Sequence, residues 1–311
     1  MKSTSAAAPL IVRLSLTAAA FLLLPVCSTV LAQSVRVEGS SGVDIHIGVL
    51  GLFHPSQFSV SAPIGSALVL HTGYERIVLE KSSGVDSASI RVSGDGVAVT
   101  TGTRVVRASK LTVSGRNGEE VEFVLAIPGK ITRRYRGTLQ ITRSDDTLIA
   151  IVTMDRETAV ASVVAAESAP DAPLEALKAQ AVAARSYLAA SRGRHQEFDF
   201  CDTTHCQFLR EPPPTGSLAS QAAQGTAGLV LQYEGRTMAA LYSADCGGET
   251  RALESDGYPY FAVACPARTG AASGHRLGLC QTGSAAMARE GASFLDILRH
   301  YFPAAAVTSS N

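Results

Sequence analysis

The sequence predicts an α+β fold, with an antiparallel β-rich first half followed by a mixed α/β second half. Two patterns predict it. Before about residue 150, apolar and polar residues alternate with period two, and glycine-rich turns punctuate the runs. Near residue 157 the pattern changes to Ala- and Val-rich stretches with helical spacing. Composition sets the outer limits. The 311 residues are 46% apolar and 17% charged, which excludes a disordered chain and allows one large domain or two ordinary ones. Lys+Arg and Asp+Glu are both 27, so no basic excess exists to hold a phosphate backbone, and no nucleic-acid partner is expected. Trp is absent and aromatics are 6%, so any surface for stacking sugars must come from Tyr or Phe.

Residues 1–32 read as a secretory signal peptide. Lys2 and Arg13 precede an apolar run, Leu14 to Leu24, which ends at Pro25. Val30-Leu31-Ala32 then offers small residues at the cleavage positions before Gln33. Eleven residues are too few to span a bilayer. Cleavage would leave 25 positive and 27 negative residues, net −2. The expectation is export to the periplasm, cell wall or medium, with an N-terminal anchor as the alternative and no membrane span after cleavage. Cys27 leaves with the leader. The five remaining cysteines cannot all pair within one chain, so either one is free or several hold a metal.

Residues 33–134 form the expected β-rich region. Val43, Ile45, Ile47 and Val49 alternate with polar or small residues, as do Val97 with Val99 and Val121 with Phe123 and Leu125. Nothing in this half clusters His, Cys or paired carboxylates, and a scaffold or wall-binding role suffices for it. A helix is expected from Glu157 to Ala166. After the break Ser168-Ala169-Pro170-Asp171-Ala172-Pro173, a second runs from about Pro173 to Arg192, and a last one from Gly283 to Tyr301.

Within the first helix Glu167 falls seven residues after Val160 and three after Val164, so it extends the apolar stripe. A carboxyl group aimed at a core loses hydration and holds its proton, as a general acid requires. A helix-end Glu that simply reaches water is the plainer reading. Lys178 and Arg185 share one face of the second helix and could meet an anion or Glu167 itself, or remain solvated. His195, Cys201, His205 and Cys206 lie within twelve residues and suit tetrahedral zinc. A Cys201–Cys206 disulfide is the alternative in an exported chain. Two glycine-bearing loops, from Tyr242 to Thr250 and from Gly274 to Gly283, present Tyr242 and His275 where backbone can approach a ligand closely. Each also reads as an ordinary turn.

Together, VVAAESAPDAPLEALKAQAVAARSY, FDFCDTTHCQ, YSADCGGET and GHRLGLCQTG resemble the SpoIID/LytB family of bacterial cell-wall proteins, over about 135–303. The resemblance implies a catalytic domain at 135–303 with two active-site helices, followed by a tail at 304–311. It implies a peptidoglycan lytic transglycosylase acting on MurNAc–GlcNAc glycan strands, which in some members are already stripped of peptides. The carboxylate matching the family's catalytic Glu is Glu167. Lys178 and Arg185 match residues implicated in its cleft, and Tyr242 and His275 are further candidate substrate contacts. His195, Cys201, His205 and Cys206 match approximately the ligands of a structural zinc. The implied partners are glycan strands and a cell-wall amidase; a non-catalytic wall-binding or amidase-modifying protein is the alternative. Four departures stand out. Ser168 replaces a Met, Arg276 replaces a Gly, and Thr282 replaces an aromatic. Cys280 in place of a Ser suggests a Cys265–Cys280 disulfide, leaving Cys246 as an odd thiol or a metal neighbour.

Overall fold

A computed structural model describes Met1, residues 43–255 and residues 257–310. Apart from Met1, the expected signal peptide lies outside the described residues, as does Cys27. The α+β class holds: a large antiparallel sheet precedes the main helices.

The sheet has 12 strands. They are β1 (Asp44–Val49), β2 (Gln57–Ser61), β3 (Ala67–His71), β4 (Arg76–Glu80), β5 (Ser87–Ser93) and β6 (Gly96–Thr101), then β7 (Arg104–Ala108), β8 (Leu111–Ser114), β9 (Val121–Ile127), β10 (Ile131–Ser144), β11 (Thr147–Asp155) and the short β12 (Phe200–Cys201). The alternation seen in sequence places Ile45, Ile47 and Val49 inside, along with Phe58, Val97, Val99, Phe123 and Leu125. Strand β10 bends the sheet. Its first half pairs with β9, and its second half runs between β8 and β11. The switch falls at Gly137, whose φ is +145° and where a Cβ would lie 2.2 Å from the Thr153 carbonyl oxygen, so only glycine fits. The position between residues 134 and 135 falls inside this strand.

Helix α1 (Arg156–Glu167) leaves β11 without a loop. Asp155 caps it by accepting from the Glu157 and Thr158 N–H groups. Helix α2 (Leu174–Ala190) lies between two hydrophobic cores. Leu177, Ala181, Ala184 and Leu188 face the core shared with the sheet. Ala179, Val182 and Ala183 face a second core with Leu231, Tyr260, Ile297 and Phe302. The face carrying Lys178, Val182 and Arg185 is therefore largely covered rather than solvated. Alanine makes this possible, because its small side chain lets neighbouring helices approach on both sides at no rotamer cost.

Beyond α2 come α3 (Leu218–Gly225), β13 (Leu229–Tyr233) and β14 (Arg236–Thr237). Four two-residue strands follow: β15 (Tyr242–Ser243), β16 (Asp245–Cys246), β17 (Ala272–Ser273) and β18 (Leu279–Cys280). The single helix expected from Gly283 to Tyr301 is instead two, α4 (Gln281–Arg289) and α5 (Phe294–Tyr301). Gly291 ends the first in a left-handed conformation, φ +94°. Its N–H bonds to Ala288 and the Ala292 N–H to Met287, the pattern of a Schellman cap. Ser293 and Asp296 then form a capping box that starts α5. Residues Ala306–Ser309 form β19, antiparallel to β13. Among the described residues, no helix is long and apolar enough to cross a membrane.

Among the described residues, Arg185 is the largest fully buried side chain. Its guanidinium forks onto the Glu157 carboxylate at 2.8 and 2.5 Å, and donates to the carbonyls of Ala223 and Leu229, both at 3.1 Å. These bonds tie α1, α2, α3 and β13 together. Replacing Arg185 by Leu strands Glu157 and those carbonyls, and we expect a loss of about 3–5 kcal/mol. Chemical denaturation measures it; a loss below about 1 kcal/mol would contradict the role given to this pair.

Candidate active site

Glu167 is the last residue of α1, and its side chain is partly buried. The Phe208 N–H donates to its Oε1 at 2.6 Å. Gln281 Nε2 donates to its backbone carbonyl at 2.9 Å, and the adjacent Ser168 hydroxyl donates to Gln180 Oε1 at 2.8 Å. Burial raises the pKa of the carboxyl above its ordinary 4.5, against the lowering effect of the Tyr242 hydroxyl and the Phe208 N–H. The helical stripe thus does what the sequence suggests: it turns a carboxyl group away from water.

Two cavities meet at this carboxylate. One, of about 490 Å³, runs along the start of α2 past Ser168, Gln180, Thr282 and Arg289. The other, of about 360 Å³, passes Tyr187, Gln207, Phe208, Ser243 and His275. Glu167, Ala244 and Gln281 border both. An extended ligand that occupies both cavities passes directly over Glu167.

The walls hold polar atoms without partners. Gln207 Oε1 and Ser243 Oγ are buried without a hydrogen bond, and Gln180 Nε2 and the Tyr242 hydroxyl have no partner beyond the loose contact among Glu167, Tyr242 and Gln180. Buried polar groups are almost always paired, so incompletely satisfied polar atoms around one carboxylate mark a place where a ligand supplies partners. Tyr242 faces Glu167 and Gln180, and burial together with the Glu167 charge pushes its phenol well above the usual range. It therefore stays a neutral donor. Of these four, only Tyr242 was a candidate from sequence. Gln180, Gln207 and Ser243 come from separate segments, and nothing in their local sequence marks them.

His275 stands on the rim of the second cavity. Its Nδ1 accepts from the Leu277 N–H at 2.9 Å, which leaves Nε2 as the donor. Partial desolvation and the Arg251 charge keep its pKa below the usual 6.5, so the ring is neutral at neutral pH. The neighbouring Arg276, at φ +64°, occupies the left-handed conformation that a glycine would take without strain. Its guanidinium donates to the Glu249 carbonyl at 2.9 Å, which holds it there.

Lys178 and Arg185 are not at this site. Neither borders a cavity at Glu167. Lys178 pairs with Glu175 at 2.6 Å, and Arg185 is consumed by Glu157. The helical face they share is right, but the second core and α3 cover it.

His195, Cys201, His205 and Cys206 do come together, with one donor atom of each within 4.8 Å of all the others. His195 Nε2 lies 3.3 Å from Cys206 Sγ, and His205 Nδ1 lies 3.6 Å from Cys206 Sγ and 3.8 Å from Cys201 Sγ. Tetrahedral zinc ligands of these types sit about 3.6 Å apart, so the donor set fits the ion. Adjacent His205 and Cys206 both bring a donor atom to the group. The sheet fixes the loop: β12 pairs parallel to β1, and buried Asp202 accepts from Arg133 at 2.6 Å and from Tyr135 at 3.1 Å. Gln207 and Phe208, which face Glu167, follow directly. Cys265 and Cys280 are free thiols, so the disulfide expected between them is not formed.

Residues 144–233 match the model of the family described as SpoIID, Stage II sporulation protein. This segment belongs to the SpoIID family. That family is linked with cell-wall breakdown, and the segment is consistent with a cell-wall-related role. The SpoIID segment holds Glu167 and the His/Cys cluster; Tyr242 and His275 lie beyond it. The chain is also similar to an uncharacterized protein of Brachyspira hyodysenteriae, 35% identical over 135 residues. That similarity spans 42% of this chain and 36% of the relative, about a third of its length.

The raised Glu167 pKa has a thermodynamic consequence. Between the ordinary carboxyl pKa and the raised folded one, the native state binds more protons than the unfolded chain, so stability falls as pH rises through that window. Glu167→Gln removes this cost. The variant should gain Tm over the wild type at pH 7 and lose that advantage near pH 4. An equal difference at both pH values would contradict a desolvated carboxyl.

Proposed function

We propose that this chain is a peptidoglycan lytic transglycosylase that cleaves MurNAc–GlcNAc glycan strands, with Glu167 as the single general acid and base. The observation that supports it best is one desolvated carboxyl at the junction of two cavities whose walls carry unpaired polar atoms. Sugar hydroxyls are the natural partners for such atoms.

Hydrolytic glycosidases use two carboxylates across the scissile bond. Here the other carboxylate bordering the cavities is Asp171, which is exposed and paired with Arg289 at 2.6 Å. A transglycosylase needs only one. Protonated Glu167 gives its proton to the glycosidic oxygen, and the C1–O bond breaks toward an oxocarbenium-like state. The resulting carboxylate takes the proton of the sugar's own C6 hydroxyl as that oxygen bonds to C1. The products are a 1,6-anhydro-MurNAc end and a free GlcNAc hydroxyl. No water is consumed, and Glu167 ends protonated as it began. The Phe208 N–H steadies the carboxylate phase of the cycle, and the high pKa restores the acid phase. Tyr242, Gln180, Gln207 and Ser243 would hold sugar hydroxyls, with His275 Nε2 donating at the rim.

A zinc ion would be held by His195, Cys201, His205 and Cys206. With four protein ligands it would brace the loop that presents Gln207 and Phe208, without contacting substrate. The reading implies export to the cell wall, and an amidase as the enzyme that supplies peptide-free strands where those are preferred.

The test incubates the protein and Glu167→Gln with intact and with amidase-stripped peptidoglycan, and analyses products by mass spectrometry. Wild type should release anhydro-muramyl ends, and the variant should be slower by roughly 10²–10⁴-fold while still binding wall. If both bind and neither cleaves, the chain is a wall-binding protein and the enzymatic reading fails.

A further inference from the structure

Outside the cleft, three more cysteines converge. Cys246 follows the Tyr242 strand, Cys265 lies in the loop that returns toward α4, and Cys280 caps the N-terminus of α4. They are 34 residues apart at the extremes of the sequence segment, yet their three sulfurs lie within 4.8 Å of one another. Each cysteine is at most 3% exposed.

Backbone donors converge on the cluster. Cys280 Sγ accepts from the Cys246 N–H at 3.3 Å and from the Gly283 N–H at 3.4 Å. Backbone N–H groups directed at sulfur stabilise negative charge on it, as they do around metal-bound thiolates. The Cys-Gly-Gly turn permits this, because Gly247 and Gly248 sit at φ +75° and +124°. Gly283 makes room on the other side. A Cβ there would lie 2.0 Å from the Tyr301 hydroxyl and 2.3 Å from Cys265 Sγ. That hydroxyl is 3.2 Å from the same sulfur and brings an oxygen to the cluster. A surface cavity bordered by Cys265, Pro266, Arg268 and His300 gives a path of entry.

We propose that Cys246, Cys265 and Cys280 form a second metal site, a buried three-thiolate centre for a thiophilic divalent ion such as Zn²⁺. Thiolates on zinc stand about 3.8 Å apart, so the sulfurs need close by no more than about 1 Å. Binding replaces the thiol protons, which leave to solvent, and involves no change of oxidation state. A disulfide would use two of the sulfurs and leave the third buried and unpaired; a metal uses all three. The site would clamp the wall of the cleft, since Tyr242 and Ser243 precede Cys246 and Gln281 follows Cys280. It does not depend on the proposed catalytic activity.

The test separates this centre from the His/Cys cluster. The full chain carrying Cys201→Ser and Cys206→Ser, reduced and loaded with Zn²⁺, should retain about one equivalent by native mass spectrometry. Adding Cys280→Ser should weaken retention at least about tenfold. Alkylation of the unmutated chain provides a readout without variants: a chelator should make all three cysteines reactive together, and Zn²⁺ should protect them together. The proposal is overturned if the folded double variant holds no zinc, if chelator and Zn²⁺ leave alkylation of the three unchanged, or if peptide mapping finds a disulfide among them.

Discussion

The arrangement of the helical half depends on one buried charge. Arg185 has no exposure to solvent, and removing a guanidinium from water costs several kcal/mol unless its hydrogen bonds are replaced. They are replaced by a forked bond to Glu157 and by carbonyls at the end of α3 and the start of β13. Any shift of one of these elements would leave a buried donor unpaired, so they hold one arrangement. Glu157 lies in the first turn of α1 and Glu167 is its last residue. Fixing the start of so short a helix, already capped by Asp155, fixes where its final carboxyl stands. The cationic residue that the sequence offers as a substrate contact thus serves the site from the far end of the helix.

At that final residue two opposing influences act. Burial favours the protonated carboxyl, while the Phe208 N–H and the Tyr242 hydroxyl favour the carboxylate. A proton shuttle needs both forms within reach, and neither influence alone would provide them. The balance depends on a strap, Gln207–Phe208, that belongs to no long helix or strand. It is placed by the cluster of His195, Cys201, His205 and Cys206, and by Asp202 anchored in the sheet through Arg133 and Tyr135. The β-rich half therefore contributes to the site without supplying a residue that lines it.

Much of this was legible in the sequence because it rests on local rules. Alternation read the strands correctly, and the stripe from Val160 to Glu167 correctly turned a carboxyl inward. The His/Cys spacing anticipated a cluster that the fold assembles. The helix from Gly283 to Tyr301 was misread although its break was written locally: Gly291 is a C-cap glycine, and Ser293 with Asp296 is a capping box. Arg185 was misread for a different reason. Helical periodicity gives the face of a side chain but not what packs on that face, and α3 and the second core arrive from later in the chain. The unpaired polar atoms of Gln180, Gln207 and Ser243 had no signal at all. Each is an ordinary residue in its own segment, and only tertiary contact makes it part of a wall.

The distribution of sulfur follows from the same limits of local structure. Between α2 and α3 the one strand is β12, two residues long, and between β14 and α4 the strands are again two residues each. A two-residue ladder contributes few hydrogen bonds and almost no side-chain packing, so it cannot fix a loop by itself. These two stretches nonetheless carry most of the wall of the second cavity. All five cysteines of the described residues lie in or beside them, gathered into two groups of donor atoms. Where regular secondary structure is too short to hold the wall, short-range contacts between side chains from distant segments hold it instead. This is how an open cleft keeps its polar atoms in position.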